Sequence, residues 1–334
     1  MKGAYVRRGA LLAITAVSLY LLAPALAEVF GAWKHLDDFS PLWLVAMLLL
    51  QLGSYGCMWA LQRLALRTEQ WGPVITSQLA ANAFGRVVPG GVAAAGGMQY
   101  AMLARSGLAP ATVASGMTAS SLLVFGMLLA LPVLSLPAIV FGAPVNEGLV
   151  KAAAAGAIMF VVLFVVGAWC IVSDRPLLAA GRAAQSIRNR LLRDRREPIE
   201  GLPNRLVKER DVVRTVMGDR WWEALLFASG RWVLDYLTLL AALTALGAHP
   251  RPTLVLLAFC AAQLLGQLPL TPGGLGFVEA GLTGTLALAG VGAGVALVAT
   301  LAYRLVSFWL PIPAGGIAAI VHRHRFGSNG NGNG

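Results

Sequence analysis

Residues 267–279 read QLPLTPGGLGFVE. The stretch lies in an otherwise apolar segment, yet Pro272, Gly273 and Gly274 interrupt it and Glu279 follows the interruption. Proline has no N–H to donate and glycine permits a sharp turn, so a helix breaks here. The break leaves N–H and C=O groups that lipid cannot satisfy, and such backbone must be buried in protein or line a wet cavity. A helix that starts just after the glycines also presents free N–H groups suited to an anion such as phosphate. A tight interfacial turn between two short helices is the simpler alternative.

The surrounding chain puts this stretch in a membrane. Of 334 residues, 57% are hydrophobic and 12% charged, against about 25% charged in a soluble domain. The expected fold class is an all-α polytopic membrane protein. Apolar runs long enough to cross a bilayer, about 20 residues each, lie near 9–30, 41–62, 109–132, 149–172, 221–246 and 292–312, giving six expected full spans. Between them, regions 73–106 and 252–290 each hold two shorter apolar pieces split by Pro-Gly-Gly. That is the pattern of a broken or re-entrant helical hairpin.

Charge sets the expected orientation. The formal net charge is +11, and the basic residues cluster between apolar runs. The positive-inside rule accounts for them, and nucleic acid is not an expected partner. Lys2, Arg7 and Arg8 place the N-terminus in the cytoplasm, and Arg63, Arg67, Arg105, Arg323 and Arg325 fall on the same side. So does segment 173–220, whose twelve basic and seven acidic residues leave net +5. Lys34, Lys151 and Arg251 are isolated exceptions. Both termini are then cytoplasmic, in a cytoplasmic (inner) membrane. The first hairpin opens from the cytoplasm and the second from outside.

Within the basic loop, GRAAQSIRNRLLRDRRE (181–197) interleaves Ile187, Leu191 and Leu192 with arginines. It reads either as an amphipathic helix on the anionic leaflet or as a solvated loop. The run after Arg8 is longer than a signal-peptide core and is expected to stay as a first helix. Residues 1–326 thus form one transmembrane domain, with GSNGNGNG (327–334) a disordered tail or a cloning remnant. Cys57, Cys170 and Cys260 lie in apolar runs without a CxxC, and His322 and His324 alternate with arginines in what reads as a solvated basic end. No disulfide framework, metal site or cofactor is expected.

The two hairpins resemble each other. RVVPGGVAAAGG (86–97) matches PLTPGGLGFVEA (269–280); Pro89 and Pro272 are 183 residues apart, and so are Gly107 and Gly290. Each hairpin is preceded by one full span and followed by another. Because they open to opposite faces, the expectation is an inverted repeat, about 41–132 against about 221–312, with its breaks near the midplane. This is a recurring transporter design.

LPLTPGGLGFVEAGLTGTLALAGV (268–291), followed by Tyr303 and Arg304, resembles the transmembrane region of the lysylphosphatidylglycerol synthetase family. That family includes stand-alone flippase-like proteins and a hopanoid-biosynthesis-associated membrane protein. VVPGGVAAAGGMQYAMLARSGL (87–108) is similar to the upstream motif of the same family, and the resemblance covers roughly 40–315. The upstream motif often carries an acidic and a basic residue after its glycines; here Gly96, Gly97, Met98 and Gln99 stand there. The chain leaves no room for the cytosolic aminoacyltransferase domain of the full-length synthetase. The resemblance therefore implies lipid translocation rather than lipid synthesis.

Intramembrane charges are functional candidates, since each costs roughly 2.5–3.5 kcal/mol at a helix centre on insertion scales. Glu279 and Arg304 lie in one repeat, either as a structural bridge or as a phosphate contact (Arg304) tuned by a carboxylate (Glu279). Arg231 and Asp235 are spaced i,i+4 and face one side of a helix, as a local ion pair or a substrate contact. Arg86 precedes the first break, placed to snorkel to the cytoplasmic surface or to meet substrate. The candidate substrate-binding set adds Pro89, Gly90, Gly91, Gly273 and Gly274 with Pro272 at the breaks, and Gln99, Tyr100, Gln267, Thr271 and Tyr303 as neutral polar groups. Gln78, Asn82 and Gln263 are further polar residues nearby, suited to interhelical hydrogen bonds.

The expected function is a flippase or transporter for an anionic lipid or lipid-linked headgroup, passive or ion-coupled because no Walker motif is present. It is expected not to be an enzyme. A membrane lipid-headgroup transferase or a non-transporting scaffold in envelope biosynthesis are the alternatives. Membrane lipids are the expected partners, with room for a homo-oligomer or an envelope-biosynthesis partner.

Overall fold

Prolines open three of the apolar helices. Pro41, Pro110 and Pro252 stand in the first turn, where a missing N–H costs nothing and the fixed φ suits a helix. In the computed structural model, residues 40–88, 91–132, 173–191, 218–267 and 274–326 are described, with isolated positions between 162 and 211. The expected runs at 9–30 and 149–172 and the tail 327–334 fall outside the described residues, as do Pro89, Gly90, Thr271, Pro272 and Gly273, apart from isolated positions in the second run.

The described chain is helical. Helices α1 (Pro41–Ala65), α2 (Trp71–Val87), α3 (Gly91–Arg105) and α4 (Pro110–Ala130) form the first half. The amphipathic α5 (Asp174–Leu191) follows, and α6 (Trp221–Ala245), α7 (Pro252–Gly266), α8 (Phe277–Leu288) and α9 (Ala293–Arg304) form the second. A π-helical turn, Leu305–Trp309, leads into α10 (Pro311–Phe326).

Among the described residues, four stretches are long and apolar enough to cross a membrane: Pro41–Ala65, Pro110–Ala130, Trp221–Ala245 and Ala293–Phe326. Three match expected spans. The fourth corrects one, since the run expected to end at 312 continues to Phe326. Pro311 and Pro313 look like a helix end, but the π turn, closed by Leu310 N–H donating to the Leu305 carbonyl, absorbs them in the first turn of α10. Helices α7 and α8, at 15 and 12 residues, reach only roughly 18–23 Å at 1.5 Å per residue, short of the roughly 30 Å hydrocarbon core.

The halves repeat one succession of elements: a 25-residue helix, a hairpin of two shorter helices, and a further span. Gly107 and Gly290 both end the hairpin in the left-handed region, at φ +91° and +92°, a conformation that favours glycine. Helix α2 lies on α3 and α7 on α8, while α1 touches α4 and α6 touches α9. Helices α1 and α6 lie against each other, antiparallel. A Cβ on Gly53 would sit 3.1 Å from Leu234, one on Gly230 would meet Cys57, and further along Leu61 packs on Ala224 and Ala228.

The largest apolar core fills the space between α1, α6, α7, α8 and α9 around the fully buried Phe259. Phe259 meets Trp232, Tyr236 and Tyr303 edge-on at 5.8–6.4 Å between centroids. Facing outward, α1 presents Leu42, Val45, Leu49 and Leu52, a stripe at helical spacing that suits lipid.

Helix α10 packs along α2 through glycine. A Cβ on Gly315 would overlap the Leu79 carbonyl oxygen and Ala83 Cβ, whereas one on Gly316 would meet nothing within 4 Å. Gly315→Ala is expected to destabilise by about 1–3 kcal/mol through overpacking. Gly316→Ala is expected to be neutral or slightly stabilising, because alanine is the better helix former. Thermal melts of both in detergent check this.

Candidate functional site

Two arginines share one aromatic ring. Arg304, the last residue of α9, holds its guanidinium carbon 4.1 Å from the Phe308 centroid; Arg86, in the last turn of α2, holds its own at 4.9 Å. The π turn sets this up. Pro311 and Pro313 withhold two N–H groups from carbonyls of the preceding turn, and Arg86 Nη1 donates to the Phe308 carbonyl. Arg86 Nη2 donates to Tyr55 Oη on α1 at 3.0 Å. Arg86, half-buried, thus turns toward α1 and the π turn, where a carbonyl, a phenol and a ring receive it.

Arg304 has a carboxylate. Its Nε donates to Glu279 Oε1 at 2.6 Å, with both side chains buried. The other oxygen, Oε2, accepts from the Gly276 N–H at 2.8 Å, at the start of α8. Glu279 is thus the anion at this helix N-terminus, the place the sequence suggested for a ligand phosphate. Helix α8 begins three residues beyond Gly274, whose φ is +71°. In the first hairpin, α3 begins at Gly91 itself, so close to α2 that a Cβ there would lie 2.6 Å from the Gly85 carbonyl oxygen.

A second polar group lies between α1, α6, α7 and α9. Arg231 Nη1 donates to Asp235 Oδ2 and to Ser54 Oγ, both at 3.0 Å. Tyr303 donates to Asp235 Oδ1 at 3.1 Å and accepts from Gln263 at 2.7 Å. The i,i+4 ion pair is present and extends to α1, α7 and α9. Tyr303 and Arg304 are neighbours in sequence, so the two groups adjoin. One turn from Ser54 and Tyr55 on α1, Gln51 is 5% exposed and its Oε1 has no hydrogen-bond partner. A buried unpaired acceptor is rare and marks a place for water or ligand.

Other expected residues take different places. Gln99 donates to Gln62 at 3.0 Å, and Gln78 accepts from Trp59 at 3.0 Å; both are interhelical bonds inside the bundle. Tyr100 and Gln267 lie at the surface and do not join the arginines. Ser54, Tyr55, Gln51 and Phe308 take part without having been singled out in the sequence. The solvated reading of the basic end is corrected at His322, which is buried. It pairs with Thr76 Oγ1 at 2.7 Å and lies 3.2 Å from the Met102 carbonyl and 3.4 Å from Ser106 Oγ. Because α10 runs on to Phe326, His322 faces the first hairpin while Arg323 and Arg325 face outward. His322→Ala is expected to loosen α10 from α2 and α3 by about 1–3 kcal/mol, read as faster limited proteolysis of the C-terminal helix.

The fold and its charged interior define a multi-pass helical membrane protein. The chain belongs to the lysylphosphatidylglycerol synthase transmembrane-region family, whose pattern matches residues 10–315. It is 38% identical over 98 residues to a UPF0104 membrane protein of Methanothermobacter thermautotrophicus (strain Delta H), covering 29% of this chain and 28% of that protein. A second UPF0104 membrane protein of the same organism is 34% identical over 93 residues, covering 28% of this chain and 26% of its own. The chain therefore spans under a third of each curated relative it matches. No solved structure matches.

Proposed function

We propose that this chain translocates a lipid with an anionic headgroup across the cytoplasmic membrane, with no chemistry on the lipid, and that the headgroup passes beside Arg86 and Arg304. One observation carries this reading. The buried polar centre holds three arginines and two carboxylates, and among the described residues no carboxylate bridges Arg86. Arg231 and Arg304 each have a carboxylate in place. An intramembrane charge held without a counter-ion suits a site that meets an anion. The unpaired Gln51 oxygen supports a wet or ligand-bearing centre on the same helix as Tyr55.

The repeated succession of elements and the antiparallel α1–α6 pair support an inverted repeat. Its two hairpins would supply polar niches from opposite faces, and the positive-inside rule supports cytoplasmic termini. A non-transporting scaffold is the second reading, favoured by the double engagement of Glu279, both of whose oxygens are already bonded.

The test is reconstitution in liposomes with lipids labelled on the acyl chain and bearing anionic or zwitterionic headgroups. Outer-leaflet label is destroyed chemically as a function of time. Protein-dependent loss of inner-leaflet label, faster for the anionic lipid, is expected. Rates equal to protein-free liposomes would leave the scaffold.

A further inference from the structure

A cleft of about 460 Å³ opens where the end of α1 meets the start of α2 and of α6, lined by Arg63, Arg67, Arg220, Glu69, Glu223 and Trp71. The size suits a small polar group. Arg63 lies eight positions beyond Tyr55 on α1, roughly 12 Å along the axis at 1.5 Å per residue. The cleft is therefore separate from the Phe308 pair. Exposed Trp71, Trp221 and Trp222 stand at this end. Tryptophan gathers where membrane meets water, so the cleft sits at headgroup level.

Its charge is positive, three arginines against two glutamates among the described lining residues. The two glutamates are held differently. Glu223 takes Arg220 through two bonds of 2.7 Å. Glu69 reaches Arg63 at 3.4 Å with a side chain 88% exposed. Solvated pairs of that kind are weak and yield to a phosphate, which accepts from guanidinium in a fork. Arg63 is held ready by Trp71, its guanidinium carbon 4.3 Å from the ring centroid. Leu64 and Phe227 give the cleft an apolar wall, which a free ion would not use and the glycerol end of a lipid would.

We propose that this cleft captures the phosphate of an anionic phospholipid from the adjacent leaflet, with Arg63 as its contact and Glu69 as an exposed competitor for Arg63, while Arg220 stays engaged by Glu223.

The experiment is native mass spectrometry of the detergent-purified chain, titrated with phosphatidylglycerol or phosphatidylcholine, with inorganic phosphate as competitor. Phosphatidylglycerol is expected to bind more tightly. Arg63→Gln is expected to weaken it about fivefold, and Glu69→Gln to strengthen it about two- to threefold, in line with single charge-assisted contacts that solvent partly screens. Glu69 is exposed, so its variant folds as the parent does, and a gain in affinity cannot come from unfolding. Equal binding of the two lipids, or a Glu69→Gln protein that binds no better, overturns the site. Displacement of phosphatidylglycerol by inorganic phosphate at equal concentration overturns the lipid as its ligand. The liposome assay on Arg86 reports on translocation alone, so the two proposals fail separately.

Discussion

Arg304→Ala is expected to melt far below the parent protein, and the double variant Arg304→Ala/Glu279→Ala to recover part of that loss. The pair is short, at 2.6 Å, and its side chains are 9% and 11% exposed. Removing the arginine strands a carboxylate inside the bundle, with the Gly276 N–H still donating to it. Breaking a buried pair in this way costs about 3–5 kcal/mol, because the abandoned charge has lost its compensation. Removing both charges avoids that cost, so the cycle should show a coupling of about 0.5–3 kcal/mol. Arg304→Lys keeps the charge but loses the planar fork over Phe308 and the directed Nε bond, and an intermediate melt is expected. Thermal unfolding of the four members of the cycle, with the lysine variant, checks this. An Arg304→Ala protein that melts with the parent would show that Glu279 is at ease without it, and Arg304 would then be a ligand contact rather than a bridge.

Some of this arrangement was legible in the sequence because it is local. A matched pair of Pro-Gly-Gly breaks and two glycines 183 positions apart are backbone features. The two glycines are realised locally, with nearly identical φ at Gly107 and Gly290, while Pro89, Gly90, Pro272 and Gly273 lie outside the described residues. Glu279, Arg304, Arg231 and Asp235 stood out because a charge in an apolar run is costly wherever it points.

What escaped was tertiary. Arg86 and Phe308 are 222 positions apart, and Ser54 and Arg231 are 177 apart. One phenylalanine, serine or glutamine among many membrane residues carries no periodic signal. The inward turn of Arg86 depends on Tyr55 and a carbonyl of the π turn, neither of which its own segment reveals. His322 was misplaced for a related reason. The apolar run was expected to end at 312, whereas the π turn carries the helix on to Phe326, far enough to bury the ring.

Arg86→Gln is expected to slow translocation of the anionic lipid about a hundredfold while leaving the melting temperature close to that of the parent. The charge sits at the C-terminal end of α2, where exposed carbonyls favour a cation. The Phe308 carbonyl, Tyr55 Oη and the Phe308 ring complete its surroundings. These partners are neutral, and glutamine can still donate to the oxygens among them, so its substitution strands no buried ion. A hydrogen bond to a charged partner is worth about 1.5–3 kcal/mol, and each 1.4 kcal/mol or so is tenfold in rate. Arg86→Lys should retain part of the rate, since it keeps the charge but not the two-pronged contact. Tyr55→Phe removes one acceptor and leaves the charge, so a loss of a few-fold is expected. The headgroup comparison separates a seat for anions from a merely structural arginine: with Arg86 neutralised, anionic and zwitterionic lipids should cross at the same slow rate. A folded Arg86→Gln protein that still moves the anionic lipid faster than the zwitterionic one would take the headgroup path away from the Phe308 ring.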